Sequence, residues 1–175
     1  MKRIIFFLSI IAVLLISCNE DDPIEVRTSL PITIAVEVPE PAINDQESGQ
    51  TEYSFTASQC YHLSDNKDVK DYLDNMKYID HKGYSIEITG LEDGEVIKDI
   101  VFSVEDKNKF EAFENVTKDD YGTRRTNDEI GYAVIHNVLL SEKQLTITVT
   151  GTTNKAPMDF DVDIQFEIGV LTDEI

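Results

Sequence analysis

Leu30, Ile32, Ile34, Val36 and Val38 occupy every second position of one stretch, with Pro31, Thr33, Ala35 and Glu37 between them. Apolar residues at period two place one face of a strand in a core and leave the other wet. Pro39-Glu40-Pro41 ends the run, and a polar loop follows to about Thr51. The same alternation returns at Tyr53, Phe55 and Ala57, at Tyr84, Ile86 and Ile88, and at Leu145, Ile147 and Val149. It is clearest at the end of the chain, where Phe160, Val162, Ile164, Phe166 and Ile168 alternate with Asp159, Asp161, Asp163, Gln165 and Glu167. Segments 84–90 and 95–104 flank Leu91-Glu92-Asp93-Gly94, a glycine-containing loop that predicts a hairpin.

Two segments break the alternation. Val69, Tyr72, Leu73 and Met76 fall at helical spacing after Ser64-Asp65-Asn66, any of which can cap, so an amphipathic helix is expected over 66–77. Residues 128–141 are apolar on both faces, as in a buried strand. Yet Ile130, Ala133, Val134, Asn137 and Val138, with Asn127 or Asp128 as cap, fit a helix better. Seven or eight one-sided strands and one or two short helical connections predict a mainly β fold. The expected form is an immunoglobulin-like or Greek-key antiparallel β-sandwich. With no Trp in the chain, the cysteine–tryptophan–cysteine pattern of true immunoglobulin domains is absent.

The N-terminal segment belongs to none of these elements. Lys2 and Arg3 precede an apolar run from Ile4 to Ile16 that is shorter than the roughly 20 residues of a spanning helix and suits a secretory signal. It ends in Leu15-Ile16-Ser17-Cys18, which resembles the lipobox of bacterial lipoproteins. The resemblance implies a signal peptide over 1–17 and lipid attachment at Cys18, through which the mature chain would hold a membrane. Asn19-Glu20-Asp21-Asp22 resembles the acidic export signal of Bacteroidetes-type lipoproteins, which implies the outer membrane, exposed at the cell surface rather than facing the periplasm. Residues 18–28 then read as an acidic tether and 29–175 as a single domain. The order of helix, strands and Thr-rich final hairpin over 60–175 is loosely similar to small lipoproteins of that type, and brings no catalytic motif with it.

Charge narrows the partners. The chain carries 15 Lys and Arg against 34 Asp and Glu, a net charge of -19. Removal of Lys2 and Arg3 with the leader makes the balance more acidic still. Such a surface repels phosphate backbones, so no nucleic-acid partner is expected. Contact with anionic lipid would have to come from the anchor. Cys18 and Cys60 are the two cysteines, and with Cys18 acylated no internal disulfide remains for the fold. Cys60 reads as a small packed thiol.

Chemistry is sparse. No nucleophile elbow and no phosphate-cradling glycine loop is present. Cys60 and His62 share a strand face and form the best nucleophile–base pair, but lack a supporting motif. His62, His81 and His136 stand at no zinc-ligand spacing. Asp159, Asp161 and Asp163 would lie ~6.6 Å apart along a strand, too far for neighbours to clamp one ion unaided. These acids, Asp65 with Asp68, and Asp119-Asp120 near Gly122 read most simply as solvated faces. The run Lys118–Asp128 holds Tyr121 with Arg124 and Arg125, a candidate binding loop for an acidic partner. No catalytic residue, metal or cofactor is implied. The expected function is a non-enzymatic, lipid-anchored binding or structural module with an envelope protein or glycan as partner. A glycan- or calcium-linked surface accessory and an enzyme of unrecognised type are the alternatives.

Overall fold

The computed structural model describes residues 23–40, 52–120, 124–125 and 129–173, with backbone alone at 124–125 and 129–132. Cys18, the acidic motif at 19–22 and Tyr121 lie outside the described residues. Among the described residues, eight strands form two antiparallel sheets, and one α-helix lies on the connection from the sixth strand to the seventh. The first sheet orders β1 (Ile24–Val38), β8 (Met158–Thr172), β3 (Met76–Thr89) and the two-residue β6 (Arg124–Arg125). The second orders β2 (Tyr53–His62), β7 (Gln144–Thr153), β4 (Ile97–Val104) and β5 (Asn108–Val116). This is a β-sandwich, mainly β as the alternation requires.

Alternation becomes burial strand by strand. In β1, Leu30, Ile32, Ile34, Val36 and Val38 are buried while Pro31, Thr33, Ala35 and Glu37 are exposed. The inward residues of β8, Phe160 to Ile168, meet them from the adjoining strand, through fifteen register pairs running from Ile24↔Thr172 to Val38↔Met158. β1 begins at Ile24, so residues 24–28 of the expected tether are strand. From the other sheet Ile100, Phe102, Ile147 and Val149 close the core, each fully buried. Removing such side chains from water is the main favourable term in the fold.

Two expectations about the elements are corrected. The 66–77 segment is not an α-helix. It holds a single 3₁₀ turn, Lys70–Tyr72, after another at Leu63–Asp65, and Met76 already opens β3. Successive i→i+3 bonds run from Asn66 N to Leu63 O, Val69 N to Asn66 O, and Tyr72 N to Val69 O. Asn66 is extended between the two turns, and Leu63, Asn66 and Val69 are buried. The Asn66 side chain holds the turn to β1, donating from Nδ2 to the Ser29 carbonyl at 3.0 Å and to Thr28 Oγ1 at 3.2 Å.

The expected hairpin about Leu91–Gly94 does not form either. β3 and β4 lie in different sheets, and the link between them crosses the sandwich. The turn after β7 holds this link. Val96 N donates to Asn154 Oδ1 at 2.9 Å, Asn154 N to Val96 O at 3.0 Å, and Lys155 Nζ to the buried carboxylate of Glu95 at 2.9 Å. A hairpin occurs instead between β4 and β5, where Glu105 and Asp106 adopt φ of 51° and 57° and Lys107 N bonds to Val104 O. Positive φ at both central residues suits the right-handed twist of a strand pair.

The helical reading of 128–141 holds: α1 spans Glu129–Glu142. It packs on β3, β5 and β7 and buries Ile135 and Leu139 fully. Lys143, at φ 57°, ends it, with its N–H on the Leu139 carbonyl.

Candidate functional site

β3 is the irregular strand of the first sheet. Its register with β8 shifts twice, between Met76 and Tyr78 and between His81 and Gly83. A β-bulge adds a residue on one side of a ladder and re-aims the neighbouring side chains. Between these two bulges lies Tyr78-Ile79-Asp80-His81, and α1 crosses over that segment. A cavity of about 340 Å³ opens there, lined by Tyr78, Asp80, His81, Ala133, His136 and Asn137 together with Ile79.

The two elements are locked by one polar contact. Nδ1 of His136 on α1 lies against the carbonyl oxygen of Ile79 on β3. A carbonyl can only accept, so Nδ1 carries the proton and donates it. In the neutral ring Nε2 is then an acceptor. The His136 ring packs beside Tyr78 with centroids 4.6 Å apart and planes inclined at 54°. Tyr78 itself is 49% exposed, the most open large apolar side chain among the described residues.

His81 sits deeper. Its ring lies 5.7 Å from that of Phe166 and 6.1 Å from that of Tyr84. Burial among these rings pushes its pKa down to about 4, against the opposing pull of the Asp80 carboxylate. The imidazole is therefore neutral at physiological pH. Asp80 is ion-paired to Lys82, which also reaches Glu25 at 3.1 Å, and Glu25 in turn holds Arg27 at 2.9 Å. The cavity thus offers an open aromatic ring, the His136 imidazole, a side-chain amide and a carboxylate already paired with a cation, while both ring nitrogens of His81 are shielded from its space.

The residues singled out from the sequence go elsewhere. Cys60 and His62 do approach, with Sγ 3.8 Å from Nε2, on the outermost strand of the second sheet. Cys60 is half-buried rather than packed away, and neither residue lines the cavity. Arg124 and Arg125 form β6, opposite Ile86 and Ser85 of β3. The two arginines of the expected binding loop are thus strand residues.

The acidic clusters are engaged locally. Asp68 accepts from Thr28 Oγ1 at 2.8 Å, Asp163 from Thr33 Oγ1 at 2.6 Å, and Asp120 from Thr117 N at 2.8 Å. Among the described residues, no group of three or more His, Cys, Asp or Glu is placed to hold a metal ion, and no helix is long and apolar enough to cross a membrane. No protein-family model and no curated protein matches the chain.

Proposed function

We propose that this chain is a non-enzymatic binding module of the cell envelope, held to a membrane by lipid on Cys18, with the acidic motif Asn19-Glu20-Asp21-Asp22 directing it to the outer face. The single observation that supports a binding role is the cavity between β3 and α1. Ligand sites are concave, with an apolar body and a few convergent polar groups, and this cavity joins the Tyr78 ring to His136 and Asn137 in that way, over the buried His81 ring. The anchor and the address rest on the lipobox and the acidic motif alone.

A second reading is favoured by Tyr78. An open aromatic ring beside hydrogen-bonding side chains suits the face of a sugar, so a glycan is the ligand class we favour. Strong net negative charge disfavours anionic glycans, which leaves neutral ones. Calcium has less support, because Asp68, Asp120 and Asp163 are bonded to neighbouring threonines and backbone. A Cys60–His62 enzyme is also less supported, because that pair stands outside the cavity.

Protease treatment of intact producing cells tests the address, with a Cys18→Ala variant and a periplasmic marker as controls. Digestion while the marker survives, together with loss of acyl labelling in Cys18→Ala, is the expected result. Protection of the domain would overturn surface exposure, and a chain that stays acylated without Cys18 would overturn the anchor.

A further inference from the structure

Two four-stranded sheets have four outer edges, and a strand edge carries a row of backbone N–H and C=O groups ready to pair with another strand. Natural sheets guard such edges with charge, proline, bulges or short length. Three edges of this sandwich are guarded. β1 exposes Glu25, Arg27, Pro31 and Glu37. β5 exposes Lys109 and Glu114, slips register opposite Phe102 and Ser103, and turns Asn115 to φ 53°. β6 is two residues long, and the part of β3 that it leaves uncovered carries two bulges and the exposed charges of Lys77, Lys82 and Glu87.

β2 has none of these devices. Its ten residues, Tyr-Ser-Phe-Thr-Ala-Ser-Gln-Cys-Tyr-His, include no Asp, Glu, Lys, Arg or Pro, in a chain that is 28% charged. They pair with β7 through ten consecutive positions without a shift, so the strand is regular along its whole length. Ser54, Thr56, Ser58 and Gln59 are exposed, all small or flexible and all uncharged. β1 stands alongside β2 at this seam, yet the two belong to separate sheets, and among the described residues no backbone hydrogen bond joins them.

We propose that β2 is a pairing edge through which this chain joins a second copy of itself, strand against strand and antiparallel. An uncharged, unbroken edge is complementary to its own copy, and charge confines the contact to it. Two copies of a chain of net charge -19 repel each other over most of their surface, and β2 is the long strand edge at which they can meet without opposing like charges. Antiparallel self-pairing is isologous, so one two-fold axis closes the pair and joins two four-stranded sheets into one of eight. An edge contact is smaller than a typical stable interface, and confinement of both copies to one surface would raise their effective concentration.

Cross-linking of the full-length protein in the cells that make it tests the pairing. In a Cys60→Ala background, Ser58→Cys on β2 and Ala35→Cys on β1 are each treated with a short bis-maleimide. A cross-linked dimer from Ser58→Cys, little from Ala35→Cys, and its loss on adding Thr56→Lys are expected. Equal dimer from both positions means random collision and overturns the proposal, as does a dimer that survives Thr56→Lys. Absence of dimer from Ser58→Cys overturns it too, with Thr56→Cys as the second position should Ser58→Cys fail to accumulate.

Discussion

His136 donates its Nδ1 proton to the carbonyl oxygen of Ile79, and that bond ties the helix to the strand that carries the cavity. The segment it grips is the one isolated between two bulges of β3, where the ladder with β8 twice loses register. The floor of the cavity is therefore set by backbone irregularity and its wall by a helix. The fixed imidazole sets how far apart they stand.

Tyr78 separates binding from folding. Being 49% exposed, it contributes little to the core, so Tyr78→Ala is expected to change stability by less than about 1 kcal/mol. Under the glycan reading it abolishes binding of neutral oligosaccharides. The chain has three histidines, so their ring resonances can be followed one by one. On titration of a neutral glycan panel into the wild type, His81 and His136 should shift while His62 stays still. Unmoved signals across the whole panel, or an equal shift at His62, would remove the cavity as the site.

The depressed pKa of His81 predicts a loss of stability in mild acid. The folded ring protonates near 4 and the unfolded one near 6.5, so between those values the unfolded chain binds more protons. Stability falls as pH drops through that window and levels off below it. The full effect is on the order of 2–3 kcal/mol, reduced by the part of the ring that reaches water. Melting curves of wild type and His81→Leu between pH 7 and 4 should diverge by that amount, with the variant the flatter of the two.

Glu95 and Lys155 give an acid response of a different origin. Burial alone would raise the Glu95 pKa, but the Glu92 N–H and the Lys155 ammonium outweigh it and hold the carboxyl below its ordinary value. Its contribution is present above the unfolded pKa and is lost as pH falls through the lower, folded one. Lys155→Met removes one of the two donors to a residue only 5% exposed, and should cost about 1–3 kcal/mol at neutral pH. It should also move the acid unfolding midpoint upward. An unchanged midpoint would show that the Glu92 N–H suffices.

Asn66 is expected to be the most sensitive polar residue on the β1 side. It is 6% exposed, and its amide reaches Ser29 O and Thr28 Oγ1 while its Oδ1 accepts from Asp68 N at 2.9 Å. Asn66→Ala leaves those groups unpaired, at a cost of about 1–3 kcal/mol in denaturant melts. The exposed neighbour Asp65→Ala should be close to neutral.

Two buried-strand glycines should respond differently. A Cβ on Gly151 would overlap the Asp99 carbonyl oxygen and stand 2.7 Å from Phe55 Cζ, and a backbone obstacle cannot swing aside. On Gly169 it would meet the flexible end of Glu25. Gly151→Ala should destabilise by about 1–3 kcal/mol, with Gly169→Ala well below it. Equal melting temperatures for the two would contradict the close approach of β7 and β4.

The fold was most legible where the chain is most regular. β1 and β8 keep strict alternation over a one-sided core, and the sequence states it openly. β5 was missed because its bulge and Asn115 at φ 53° space Phe110, Phe113 and Val116 by three. The turns at 63–72 look helical because successive i→i+3 bonds bury Leu63, Asn66 and Val69 at a spacing of three. The crossing after β3 was misread because Gly94 marks a turn, while the bonds to Asn154 and Lys155 that redirect it come from far along the chain. The cavity was invisible for the same reason. Its strand half is broken by two bulges, and His136 arrives from a helix whose partner no local spacing announces.

The fifteen pairs between β1 and β8 join the first strand to the last. A ribosome delivers β1 long before β8 exists, so the first sheet cannot assemble until Met158–Thr172 has emerged. Contacts of such long sequence separation make folding slow. Under the proposed export this delay is useful: the polypeptide stays open enough to thread a narrow conduit, and it closes only when its final strand reaches the far side.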